Sequence, residues 1–151
     1  MSANQPSRKP IAEDVLINLK QLEEKTVNIF REHFGIDLNK DSKSIEYLCE
    51  FITVNSSKLE SEEQEAWLNL IGAFLGQTII EVYQGRWIEI DTSNDSKLDF
   101  ELNNPCIELH DGSVCFPFAK VQKQFDNGIE DSIHSYFTFF ATYLKKNTDK
   151  E

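Results

Sequence analysis

Apolar residues recur at helical spacing from Ile11 onward: Ile11, Val15, Leu19, Leu22, Ile29 and Phe34, with Thr26 filling one step. That spacing predicts a helix with one buried stripe. Glu13 and Asp14 suit its first turn, and Gly35 suits a left-handed stop with Ile36 folding back. Asp41 is placed to cap a second helix whose stripe runs through Ile45, Leu48 and Ile52. Tyr47, Phe51 and Val54 widen that stripe, so this helix is expected to touch neighbours on two sides. Ser61-Glu62-Glu63-Gln64 reads as a capping box, with Ser61 and Gln64 as the reciprocal pair. Trp67, Leu70, Ile71, Phe74, Leu75, Ile79 and Val82 follow as a third helix, with Gly85 as its stop.

The period then changes to two. Ile88 and Ile90 alternate with Glu89 and Asp91, and Leu98, Phe100 and Leu102 alternate with Asp99 and Glu101. Ile107 and Leu109 precede Asp111-Gly112, and Val114 and Phe116 follow it, which is a hairpin pattern. Alternation of this kind predicts an antiparallel sheet with one dry and one wet face. Pro117 suits the first turn of a fourth helix with Phe118, Val121 and Phe125 inward, stopped by Asn127-Gly128. Asp131 or Ser132 would start a last helix along Ile133, Phe137, Phe140 and Leu144, its apolar arc widened by Tyr136, Phe139 and Tyr143. The expected fold is therefore α+β: three N-terminal helices, a meander of three or four antiparallel strands, and two C-terminal helices, with the helices on one sheet face.

At 151 residues the chain fits one domain, expected over residues 10–146 between tails at 1–9 and 147–151. Eleven phenylalanines supply a core, and no apolar run approaches the roughly 20 residues that span a bilayer. Lys and Arg number 15 against 26 Asp and Glu, a net charge of −11. Such a balance argues against nucleic acid and anionic membrane, which need a concentrated cationic face. The three cysteines, Cys49, Cys106 and Cys115, are too few and too odd in number for a disulfide framework, so a reducing cytoplasm is expected.

Leu70-Ile-Gly-Ala-Phe-Leu-Gly-Gln77, followed by Gly85-Arg86-Trp87, resembles a small family of uncharacterised bacterial proteins. Its members carry a Gly-Ala-Phe/Tyr-Leu-Gly-Glu helix and then a Gly-x-Trp entry into a sheet. Asp41-x-x-Ser44-Ile45-Glu46-Tyr47-Leu48 is similar to a further stretch of the family, as is Phe116-Pro117-Phe118-x-x-Val121 followed by Asn127-Gly128-x-x-Asp131-Ser132-Ile133. The resemblance spans about residues 36–140 and implies a fold and a bacterial source, but no activity. Gln77 departs from it, standing where the family often has Glu.

Several residues are candidates for chemistry. Gly72 and Gly76 share a helix face, and each costs about 1 kcal/mol relative to alanine there. Close packing is the ordinary offset, and approach of a ligand or partner backbone is the functional one. Trp67 and Trp87 read as core anchors, and Arg86 as the partner of Glu81 or Glu89, or as the holder of a carboxylate ligand. A two-residue Asp111-Gly112 turn would set His110 opposite Ser113 and Glu108 opposite Cys115. Cys106, Glu108, His110, Ser113 and Cys115 would then share one face, an incomplete zinc set or a Cys–His pair. An ordinary polar sheet face is the simpler account of those five. His33 and His134 read as solvent-facing. Asp37-x-Asn39-x-Asp41 and Asp91-x-Ser93-x-Asp95 imitate calcium loops, without the glycine and glutamate such loops require.

Eight acids between Glu81 and Asp111 face only Arg86 and Lys97. They are either a solvated outer face or a docking face for a basic protein, through Glu89, Asp91, Asp99 and Glu101. The leading functional expectation is a non-catalytic interaction protein with a basic partner, toxin neutralisation being one version. A metal- or thiol-dependent enzyme centred on Glu108, His110 and Cys115 is the rival, and a small-ligand pocket beside Gly72 and Gly76 is the third reading. No cofactor is implied. The aromatic arc of the last helix offers a surface for homodimerisation.

Overall fold

The computed structural model of the chain describes residues 8–90 and 105–149, with side chains through Leu144. Its elements are β1 (Arg8–Pro10), α1 (Glu13–Phe34), α2 (Ser42–Asn55), α3 (Ser61–Tyr83), β2 (Gly85–Ile90), β3 (Cys106–Leu109), β4 (Val114–Cys115), α4 (Pro117–Asn127) and α5 (Ile133–Asp149), with a 3₁₀ turn at Gly128–Asp131. The fold is α+β, and its four described strands form an antiparallel sheet in the order β1-β2-β3-β4. The strand expected at Leu98–Leu102 lies outside the described residues.

Helix ends follow local chemistry. Gly35 takes φ 66°, and its N–H and that of Ile36 bond back to the carbonyls of Arg31 and Phe30, closing α1. Asp41 accepts from the Ser44 amide at 2.9 Å and starts α2. Pro117 stands in the first turn of α4, where its missing N–H has no cost. Ser132, rather than Asp131, starts α5, its hydroxyl accepting from the Ser135 amide at 3.1 Å.

Two ends differ from expectation. At the start of α3 the reciprocal pair is Glu60 and Glu63, one residue earlier, with the Glu63 carboxylate accepting from the Glu60 amide at 3.2 Å. The Gln64 side chain is drawn instead to the Ser56 carbonyl at 2.8 Å. The C-terminal residue of positive φ on α3 is Gln84, at 62°, and not Gly85, which already belongs to β2. Residues 8 and 9 belong to β1, and α5 continues to Asp149.

Helix α3 is the hub. α1 and α4 lie along it, β2 and β3 rest on it, and α2 packs on α5. Phe30, Phe34, Phe51 and Trp67 interlock across α1, α2 and α3, with the Phe51 and Trp67 centroids 4.5 Å apart. The buried Thr26 hydroxyl lies 2.9 Å from the Leu70 carbonyl and ties α1 to α3. The main core also takes in Trp87, Ile107, Leu109 and Cys115 from the sheet.

The sheet does not have one dry and one wet face. Trp87 turns toward the helices, and period two then places Ile88 and Ile90 on the opposite side. There they are buried with Cys106, against Val114 and Phe116, as a second small core. Contiguous Trp87-Ile88 thus gives β2 two apolar faces, as in a strand covered on both sides.

Candidate functional site

The end of the sheet is built by the α3–β2 junction and the β3–β4 hairpin. Register pairs Gly85 with Leu109 and Arg86 with Glu108. A β-carbon at Gly85 would stand 2.9 Å from the Glu108 carbonyl, so the strands approach this closely only at glycine. Gln84 holds a conformation unusual for a residue with a side chain, and its carbonyl accepts from the His110 amide at 3.0 Å.

The hairpin register is one residue from the expected one. Ile107 pairs with Cys115 and Glu108 with Val114. The loop is therefore His110-Asp111-Gly112. Only Gly112, at 91°, has positive φ there, whereas a two-residue turn would ask it of Asp111 as well. The Leu109 amide bonds to the Ser113 carbonyl at 2.8 Å, and the Gly112 amide to the Leu109 carbonyl at 2.9 Å. Asp111 locks the loop by accepting from the Ser113 amide and hydroxyl at 2.9 and 2.8 Å.

This shift separates the proposed Cys–His–Glu constellation. Cys115 joins Ile107 and Leu109 in the main core, Cys106 lies in the second core, and His110 is exposed on the loop. Burial pushes the Cys106 thiol up to about 11, against the opposing pull of Arg8, and the Cys115 thiol to about 12. Among the described residues, no group of three or more His, Cys, Asp or Glu is arranged to hold a metal.

Both thiols are neutral and shielded at physiological pH, so a thiol reagent at pH 8 is expected to reach them only after unfolding. Their folded pKa values lie above the ordinary thiol value of about 8.5, so the stability they carry is present below it and is lost as pH climbs toward 11 and 12. Labelling kinetics read by mass spectrometry check this. Rapid modification of Cys115 in the folded protein would contradict it.

Glu108 has a different partner set from the one expected. Its Oε2 lies 2.9 Å from Arg8 Nη1, and its Oε1 lies 3.0 Å from Arg86 Nη2 and 3.2 Å from Arg86 Nε. Arg86 thus pairs with Glu108, while Glu81 accepts from Gln77. Hydrogen bonds from Arg8 and then Arg86 hold the Glu108 carboxyl below the usual range. Arg8 also donates to the Gly112 carbonyl at 2.8 Å, so the edge strand reaches the hairpin tip. Gln84, Gly85, Arg86, Glu108, Leu109, His110 and Gly112 line an open cleft of about 630 Å³ at this end of the sheet.

No sequence signal pointed to Arg8, because a three-residue edge strand carries no period of its own. Of the expected acidic docking set, Glu89 is exposed and lies across from Lys9. Asp91, Asp99 and Glu101 lie outside the described residues. The described strands carry Arg8, Lys9 and Arg86 against Glu89 and Glu108, so that part of the sheet is not acidic.

The glycine face of α3 is closed by rings. A β-carbon at Gly72 would stand 2.7 Å from Phe118 Cε1, and one at Gly76 would stand 2.6 Å from Trp87 Cζ2. Trp87 donates its indole N–H to Gln77 Oε1 at 3.2 Å. In the first calcium-like stretch Asp37 pairs with Arg31 and Asp41 caps α2, while the stretch from Asp91 to Asp95 lies outside the described residues.

A second groove of about 410 Å³ runs between α2 and α5. Glu46, Glu50, Thr53, Ile129, Ser132, His134 and Ser135 line it, over the buried Cys49. His134 is half-buried rather than solvent-facing, with Nε2 3.0 Å from the Ser42 hydroxyl. Further along α5, Phe139 is 56% exposed and stacks on Tyr143 at 5.5 Å. Among the described residues, no helix is long and apolar enough to cross a membrane.

Comparison with protein-family models, with curated proteins and with solved structures found no match to the chain.

Proposed function

We propose that the chain is a non-catalytic, acidic interaction protein that binds a basic protein partner, neutralisation of a basic toxin being one form of that role. The observation that carries this reading is where the charge sits. Helix α3 exposes Glu62, Glu63, Glu65 and Glu81 and contains no Lys or Arg, in a chain of net charge −11. A field of that sign concentrates basic partners and speeds their encounter. Asp99 and Glu101 belong to the same proposal as contacts from the segment that follows β2. The exposed Phe139–Tyr143 pair offers a further contact surface, for the basic partner or for a second copy of the chain. Lys or Arg side chains can settle on such rings. A bacterial cytoplasm is the setting proposed for this role, which the three free cysteines and the resemblance to small bacterial proteins support.

The test uses a partner captured from the native cell and then purified. Its association rate is measured across salt with the wild type, with Asp99→Lys/Glu101→Lys and with Glu62→Lys/Glu65→Lys. Raising salt should slow association, and each double variant should lower the rate roughly tenfold at low salt with its melting temperature retained. Rates that are equal in all three proteins and indifferent to salt would remove the electrostatic role.

A further inference from the structure

The cleft at the end of the sheet has a charge pattern unlike the rest of the chain. Two guanidinium groups, Arg8 and Arg86, share one carboxylate, Glu108. The Arg86 side chain is 57% exposed. Its Nε and Nη2 face Glu108, and among the described residues its Nη1 has no hydrogen-bond partner. Gln84 and His110 line the same cleft as Arg86 and are tied together through their backbones. Gln84 is the described non-glycine residue held at positive φ, and Gly85 beside it admits no β-carbon. Strained backbone and a close strand approach thus coincide at the wall that carries Arg86.

From this arrangement we infer that the cleft binds a small molecule bearing an oxyanion group, a carboxylate or a phosphate, with Arg86 as the principal contact. A guanidinium offers planar paired N–H donors suited to such groups. Gln84 and His110 supply further donors for the remaining polar atoms of the ligand, and about 630 Å³ matches a metabolite rather than a polymer. Glu108 orients Arg86 and competes with the incoming anion. This site is separate from the acidic surface assigned to the basic partner and does not depend on it.

Inorganic phosphate and acetate are the probes. Each is titrated into the ¹⁵N-labelled full chain against chloride at equal ionic strength, and amide shifts are followed. Saturable shifts confined to residues 84–86 and 108–112 are expected. Saturation by phosphate alone assigns a phosphate-bearing ligand, and saturation by acetate alone a carboxylate. Arg86→Gln should weaken binding at least about tenfold, and Glu108→Gln should strengthen it about threefold or more, because it removes the competing anion. The two variants break the same ion pair, so a merely structural cluster would change both alike. Absence of localised saturable shifts with either probe, wild-type affinity in Arg86→Gln, or equal or reduced affinity in Glu108→Gln would overturn the inference.

Discussion

Gly76→Leu is expected to lower stability by roughly 3 kcal/mol, at the upper end for an overpacked core. A β-carbon alone at this position would lie 2.6 Å from Cζ2 and 3.1 Å from Cζ3 of the Trp87 ring. The indole has nowhere to retreat. It is 5% exposed, bonded to Gln77 on one edge, and packed with its centroid 6.1 Å from that of Phe118. Phe118 is itself seated against Gly72, so displacement of Trp87 pushes on a second ring already in contact with α3. Replacing glycine in a helix returns only about 1 kcal/mol of backbone propensity, too little to compensate. The loss should show as a lower denaturant midpoint at unchanged slope, with Trp87 fluorescence shifted to the red. An unchanged midpoint would mean that the indole moves freely off the helix.

Gln124→Leu is expected to cost about 2–4 kcal/mol although leucine fits the volume, because the loss is of hydrogen bonds. The Gln124 side chain is fully buried and joins three helices. Its Nε2 donates to the Cys49 carbonyl at 2.9 Å and lies 3.1 Å from the Thr53 hydroxyl, both on α2. Its Oε1 accepts from the Ile133 amide at 2.8 Å, the first residue of α5. That amide has no partner within its own helix, so removal of Oε1 leaves a buried donor unsatisfied. Gln124→Glu should be worse near neutral pH, since a buried carboxylate would face the Cys49 carbonyl where an amide donor now stands. Denaturant midpoints of the three proteins, with amide exchange at Ile133, provide the measurement. If Gln124→Leu matches the wild type, the network contributes nothing net.

What could be read in the sequence was what neighbours within four residues decide. The stripes of α1, α2 and α3, the left-handed stop at Gly35, the Asp41 cap and Pro117 at the start of α4 all depend on contacts inside one helix or at its end. These elements fixed the α+β order, and the two ring-covered glycines were legible as sites of close approach. The same reasoning misplaced the α3 cap by one residue, since Glu60-Glu63 and Ser61-Gln64 offer equivalent local spacing.

Tertiary structure alone decided the candidate site. Asp111-Gly112 is compatible with a two- or a three-residue loop, and the choice fell to the one that puts Cys115 beside Ile107 and Leu109 in the core. Because side chains alternate along a strand, that single step moved Cys115 away from Cys106 and Glu108 and dissolved the Cys–His–Glu grouping. Trp87 similarly took the helix side because Gly76 leaves room for its ring, which turned Ile88 and Ile90 to the other face. Arg8 meets Glu108 across 100 positions of chain, and Gln124 meets Cys49 across 75. No period or propensity encodes such meetings. They exist because strand pairing set one carboxylate between two guanidinium groups at the exposed end of the sheet, and burial set one amide among three helices where its donors and acceptor all find partners.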